Sequence, residues 1–178
     1  MSKEQLILSV RWMIDREVFV CGLLNRISHR PKVKTFFFAI SGLGDGGAWY
    51  VLIVALPLIY GQSGLATSLE MVKIGVVNLA LYKLVKHVTG RPRPCAVSAS
   101  ITVGAAPLDQ YSFPSGHTMH AVAFSIVATA HHPELAWMLG PFSSLIALSR
   151  MVLGLHYPTD VIAGALVGGY VASVLMAT

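Results

Sequence analysis

The chain has 178 residues, 54% of them hydrophobic and only 12% charged, with a mean hydropathy of +0.66. A soluble domain carries about 25% charged residues, so this chain has too few to solvate a globular surface. The composition predicts an all-α, polytopic membrane bundle forming a single domain over 1–178. A net charge of +5 on so apolar a chain excludes nucleic acid as the natural partner and points to an anionic membrane surface or an anionic substrate.

In chain order, Leu6, Ile7, Val10, Met13, Ile14 and Val18 recur at helical spacing between Arg11, Asp15 and Arg16. This predicts an amphipathic helix from Lys3 to Val18 lying along the membrane surface. Arg26, His29, Arg30, Lys32 and Lys34 exclude a crossing here, so 1–34 reads as an interfacial segment and 35–178 as the bundle. From Thr35 to Leu69 the only charge is Asp45, set among glycines in Gly42–Gly47. Those glycines predict a break, with a short buried piece before it and a spanning helix after it. Asp45 is read as a helix cap or as an aid to substrate positioning. Gly61–Gly64 predicts a tight turn, and Glu70 and Lys73 are spaced to pair. The expected spans are 48–60, 65–85, 116–131, 135–150 and 158–177, several of them short of the roughly 20 residues a crossing needs. Gly164, Gly168 and Gly169 in the last suit close helix–helix approach. Trp12, Trp49 and Trp137 are expected at the membrane interfaces. Cys21 and Cys95 read as small apolar fillers.

Three polar clusters interrupt this pattern. Lys86 to Ser112 is the longest polar connection, and its Gly90-Arg91-Pro92-Arg93-Pro94 is expected to be extended, because proline opposes helix. Pro114-Ser115-Gly116-His117 opens the third span, where free backbone N–H groups form an anion site. In Ser149-Arg150-x5-His156-x3-Asp160, Pro158 favours a helix start, which puts Asp160 in the first turn within reach of the His156 imidazole. On that segment alone, a structural ion pair with a helix-capping histidine reads equally well. Counting spans, however, places all three clusters and Asp45 on one membrane face. Lys86, Arg93 and Arg150 there supply three cations suited to a phosphate, and His117 stands beside them as a general acid. Arg91 is a further candidate for a second phosphate or a lipid headgroup. No metal or cofactor site is read, since these cations oppose a Zn²⁺ at His117 and His120.

Lys86-x6-Arg93-Pro94, Pro114-Ser115-Gly116-His117 and Ser149-Arg150-x5-His156-x3-Asp160 together resemble the three signature motifs of the type-2 phosphatidic acid phosphatase superfamily. The resemblance implies a metal-independent membrane phosphatase with a lipid phosphate as substrate. It gives His156 as the nucleophile that becomes phosphohistidine, Asp160 as its orienting carboxylate and His117 as acid and then base. Lys86, Arg93, Ser115, Gly116 and Arg150 would hold the phosphate. Many membrane members have six spans, and the usual first one is not evident here. A phosphotransferase or headgroup transferase of the same superfamily, or a non-catalytic binder of anionic lipid, are the alternatives. An inner, plasma-membrane location is expected. The basic N-terminal segment points the site toward the cytoplasm, whereas the resemblance points it outward.

Overall fold

The computed structural model describes residues 3–107 and 109–177, with side chains from residue 14 onward. Its elements are α1 (Lys3–Ile27), α2 (Pro31–Gly42), a π-helical turn (Leu43–Gly47), α3 (Ala48–Thr89), α4 (Pro94–Val97), α5 (Gly116–His131), a 3₁₀ turn (Pro133–Leu135), α6 (Ala136–Val152) and α7 (Pro158–Met176).

Gly61, at φ 61° and ψ −129°, reverses α3 into two antiparallel arms, 48–60 and 62–89. Only glycine adopts that conformation without strain. The arms then close tightly. A Cβ on Gly64 would lie 2.0 Å from the Leu56 carbonyl oxygen, and the Ser68 hydroxyl donates to the Ile53 carbonyl at 2.7 Å. The predicted turn and both predicted spans are therefore found, but the second arm continues to Thr89 and carries Lys86 inside its last turns.

At the centre lies α5, which packs against α7, α3 and α6. Two glycines of α7 set its approach: a Cβ at Gly164 would sit 2.6 Å from the Ser115 carbonyl oxygen, and one at Gly168 would sit 2.2 Å from that of Met119. Backbone therefore meets backbone, and the start of α5 is pressed against the start of α7. Gly169 meets only side chains. The core runs through Trp49, Met71, Ile74, Phe124, Val127, Leu139 and Ile146. The opposite surface is apolar too: Val51, Leu58, Ile59, Val76, Leu166 and Trp137 are all strongly exposed. Such a surface is solvated by lipid. Three stretches, Pro31–Val97, Pro133–Val152 and Pro158–Met176, are long and apolar enough to cross a membrane, and the first contains both arms of α3. At 16 residues α5 is shorter, although it lies at the centre of the bundle.

Several expectations are corrected. The amphipathic helix runs to Ile27 and packs against α6 and α7. Its Asn25 amide donates to the carbonyls of Thr102 (2.9 Å) and Val152 (3.0 Å), stitching it to the loops at one end of the bundle. The piece before the glycine break is a helix, α2, with only Phe37 and Ser41 buried, because its other phenylalanines face outward. Pro94 begins a short helix instead of extending the chain, since proline fits a first helical turn. Trp49 is a core residue beside Phe124 and Phe142, not an interface anchor, and the Trp12 side chain lies outside the described residues. Glu70 accepts from His131 at 2.7 Å and Lys73 donates to the Leu175 carbonyl, so these two are not each other's partner.

Candidate active site

The three sequence clusters and Asp45 converge at one end of the bundle, as the span count required. They frame a cavity of about 450 Å³ whose polar wall includes Asp45, Lys86, Arg93, His117, Arg150 and His156.

His156 lies between α6 and α7. Gly154, at φ 72°, turns the chain sharply after α6, and the amides of Leu155 and His156 both return to the Arg150 carbonyl, at 3.0 and 3.1 Å. A side chain at Gly154 would also strike Ile101 at 2.7 Å. The imidazole is 1% exposed. Its Nε2 lies 3.3 Å from Arg93 Nη1. A guanidinium only donates, so Nε2 carries the lone pair and Nδ1 the proton. Burial, then the charges of Arg150, Arg93 and Lys86, hold its pKa well below the usual histidine range, which keeps the ring neutral.

The Nδ1 side differs from expectation. Asp160 Oδ2 stands 3.5 Å away, longer than a good hydrogen bond, and Nδ1 has no hydrogen-bond partner. The carboxylate is committed elsewhere. Oδ2 accepts the Tyr157 amide at 2.8 Å in a capping box at the start of α7, and Oδ1 accepts Arg91 Nη1 at 2.7 Å. Asp160 is thus a fixed charge facing the proton-bearing edge of His156.

Arg91, expected as a candidate for a second phosphate or a headgroup, lies outside the cavity lining and is engaged by protein. Its Nη1 also donates to Thr159 Oγ1 at 2.8 Å, its Nη2 to Glu17 Oε2 of α1 at 2.5 Å, and the guanidinium stacks 4.0 Å over the Tyr157 ring. Three of its five N–H donors are thus taken by protein. Likewise Ser115 stands one layer behind the cavity: its amide donates to the Asp160 carbonyl at 2.9 Å and its hydroxyl pairs with Thr118. Gly116 and His117 reach the cavity in its place.

His117 Nε2 pairs closely with Asp45 Oδ1 across the cavity mouth. The helix-capping reading of Asp45 is therefore set aside, because its carboxylate leaves its own helix turn to meet the imidazole. Arg150 lines the cavity and donates through Nη1 to the Ser41 hydroxyl, while its buried Nε has no hydrogen-bond partner. His120 also lines the cavity, its Nδ1 donating to the Gly116 carbonyl at 2.9 Å.

One residue in the site was not foreseen. Asp109 Oδ1 lies 2.6 Å from Lys86 Nζ and 2.9 Å from Arg93 Nη2. Burial pushes its pKa up, but Lys86 and Arg93 outweigh that and hold the carboxyl below its usual range. The available signal was its isolation: it is the only acidic residue between Glu70 and Glu134.

From the polar wall the cavity continues along Trp49, Ile53 and Val54 on one arm of α3 and Met71, Val72 and Val76 on the other. Val54 and Val76 are each 62% exposed, so the groove between the arms opens sideways to lipid.

Residues 65–178 match the family model described as the PAP2 superfamily. The chain is similar to the decaprenylphosphoryl-5-phosphoribose phosphatase of Mycolicibacterium smegmatis, at 31% identity over 78% of this chain and 74% of that protein. It is also similar to the undecaprenyl-diphosphatase of Sulfolobus acidocaldarius, at 30% identity over 88% of this chain and 74% of that protein. Its fold is shared with the crystal structure of a transmembrane PAP2-type phosphatidylglycerolphosphate phosphatase from Bacillus subtilis, at a TM-score of 0.73 and 23% identity, covering 97% and 90% of the two chains. Aquifex aeolicus LpxE matches with a TM-score of 0.71 at 25% identity, over 89% of this chain and 93% of that one.

Proposed function

This chain belongs to the PAP2 superfamily and is a phosphatase of the membrane, and we propose that it hydrolyses a lipid phosphomonoester or diphosphate through a phosphohistidine at His156, without a metal. Polyprenyl diphosphate, phosphatidic acid and phosphatidylglycerophosphate are the candidate substrates. The observation that carries this reading is one cavity with cations, His117 and His156 at one end and a lipid-open apolar groove at the other. A soluble phosphate ester has no use for the groove, and a simple lipid binder has no use for an Nε2 lone pair flanked by three cations.

Lys86, Arg93 and Arg150 bind and orient the phosphate and stabilise the charge that builds in the transition state. Nε2 of His156 forms its bond to phosphorus as the bond to the lipid oxygen breaks. The proton on Nδ1 faces Asp160, whose charge stabilises the imidazole as it becomes positive. His117 gives a proton to the departing oxygen, and Asp45 stabilises the imidazolium it must be beforehand. His117 then takes a proton from water, which displaces the imidazole and releases phosphate. The site sits in the plasma membrane in this reading.

The test is hydrolysis of that panel of lipid phosphates by purified protein in detergent with EDTA present. Turnover of at least one member, inhibition by vanadate as a trigonal-bipyramidal mimic, and acid-labile phosphate trapped on His156 are expected. Loss of activity to EDTA, restored by a divalent metal, would refute the metal-free mechanism.

A further inference from the structure

The carboxylate of Asp109 occupies the two cations assigned above to the substrate. Oδ1 and Oδ2 accept from Lys86 Nζ at 2.6 and 2.7 Å, and Oδ1 accepts from Arg93 Nη2 at 2.9 Å. Lys86 and Arg93 are nearly buried, at 7% and 5% side-chain exposure, whereas Asp109 is 30% exposed and lines the cavity. Two buried cations side by side are costly without an anion, and Asp109 supplies one.

Its backbone is built to let go. The segment is tied down at Gly104, whose amide donates to Leu153 at 3.0 Å, and at Ser112, whose amide donates to Arg91 at 2.8 Å. Between these ties, the hydrogen bonds of the described residues are those to the same two cations: Arg93 Nε to the Asp109 carbonyl at 3.1 Å and Lys86 Nζ to the Tyr111 carbonyl at 3.0 Å. An anion that takes over the cations removes the hydrogen bonds that hold Asp109 and Tyr111 inward among the described residues, leaving Ala105, packed against the apolar cluster that includes Leu155, as the hinge end of the segment.

We propose that Asp109 is a specificity-determining residue, a tethered competitor for the phosphate subsite that a doubly charged terminal phosphate displaces and a singly charged phosphodiester does not. The proposal rests on the lipid phosphatase reading and addresses a difficulty specific to it. A site open to the bilayer is bathed in phosphodiester headgroups far more concentrated than any substrate. Such a headgroup brings one negative charge, the same as the carboxylate, and it must compete with a group held in place by its own chain. A phosphomonoester or terminal diphosphate brings two charges to the same cations and wins the exchange. Selection thus falls on charge at the terminal phosphate, leaving the lipid body to the groove.

The test compares wild type with Asp109→Asn and the smaller Asp109→Ser, using phosphatidic acid, or whichever lipid phosphate of the panel is turned over, in mixed micelles of rising phosphatidylglycerol at constant surface dilution. Both variants should show KM lowered by about three- to tenfold, the effect of removing a modest competing ion pair. They should also become competitively inhibited by phosphatidylglycerol at surface fractions that leave wild type unaffected. Raised KM, lowered kcat or no gain in inhibition would overturn the proposal and make Asp109 a residue that merely positions the cations. A second measurement needs no turnover: inorganic phosphate should bind more tightly to His156→Ala/Asp109→Asn than to His156→Ala by calorimetry, and equal or weaker binding would refute the competitor role. If wild type hydrolyses no lipid phosphate, the phosphatase reading fails, while the calorimetry still decides what Asp109 does.

Discussion

Arg93 Nη1 lies 3.3 Å from His156 Nε2 and donates at 2.8 Å to the Leu155 carbonyl beside it, so one guanidinium edge fixes both the backbone and the lone pair of the proposed nucleophile. His156→Ala should abolish turnover. Arg93→Ala should lower kcat/KM by roughly 10²–10³, the scale of losing one preorganised donor at a developing charge. Arg93→Lys should recover only part of this, because an ammonium cannot span both acceptors. Steady-state kinetics on the three proteins decides the matter, and an active His156→Ala protein would sink the mechanism.

Arg91 acts at one remove. It bonds Asp160 and Thr159 on α7 and Glu17 on α1, and Thr159 in turn donates to Glu17 at 2.5 Å. Arg91→Ala and Glu17→Ala should each reduce kcat with KM little changed, by roughly ten- to a hundredfold for Arg91 if it behaves like residues that orient metal ligands. An increase in KM without a fall in kcat would instead restore the headgroup-binding reading of Arg91.

The buried, neutral His156 makes stability depend on pH. Its folded pKa is depressed, so between the unfolded value near 6.5 and the lower folded value the unfolded chain binds more protons. Stability from this group is therefore fully present above about pH 6.5 and is lost on acidification, at a slope of up to about 1.4 kcal/mol per pH unit. Melting temperatures in detergent from pH 7.5 to 5 should fall less steeply for His156→Gln than for wild type. Parallel curves would contradict it.

Gly168 is where α7 and α5 share backbone contact, with a Cβ position 2.2 Å from the Met119 carbonyl oxygen. Gly168→Val should destabilise the protein by about 1–3 kcal/mol through overpacking and reduce activity further by displacing His117 from His156. Thermal melts and kinetics on the same preparation would show both effects; a fully active, equally stable variant would show that the helices tolerate separation.

The membrane orientation is open to direct measurement. Ser100 lies in the loops at the site end and Gln62 at the hairpin tip, and both are exposed. In a background lacking Cys21 and Cys95, the basic N-terminal segment predicts that an impermeant thiol reagent in intact cells labels Gln62→Cys and not Ser100→Cys. The opposite pattern would place the site on the outer face.

The sequence by itself determined the five apolar helical segments and pointed to the proposed reacting groups. Glycines at 61 and 64 set a reversal that no other residue allows cheaply, Pro158 set the start of α7, and charge scarcity set the solvent. The three motifs brought His117, His156 and the cations to one end through span parity alone. What the sequence could not convey is which partner each polar group takes, because a hydrogen bond is satisfied by whatever group the fold brings within about 3 Å, regardless of separation along the chain. Asp45 reached across 72 residues to His117 instead of capping its own turn, and Arg91 reached 74 to Glu17 instead of facing a phosphate. Ser115 spent its amide on Asp160, and Trp49 turned inward to meet Phe124. Asp109 carried no periodicity or spacing to mark it. Only the folding of its loop over two buried cations gave that carboxylate a place in the site, since the cost of leaving Lys86 and Arg93 without an anion exists only once the bundle has closed around them.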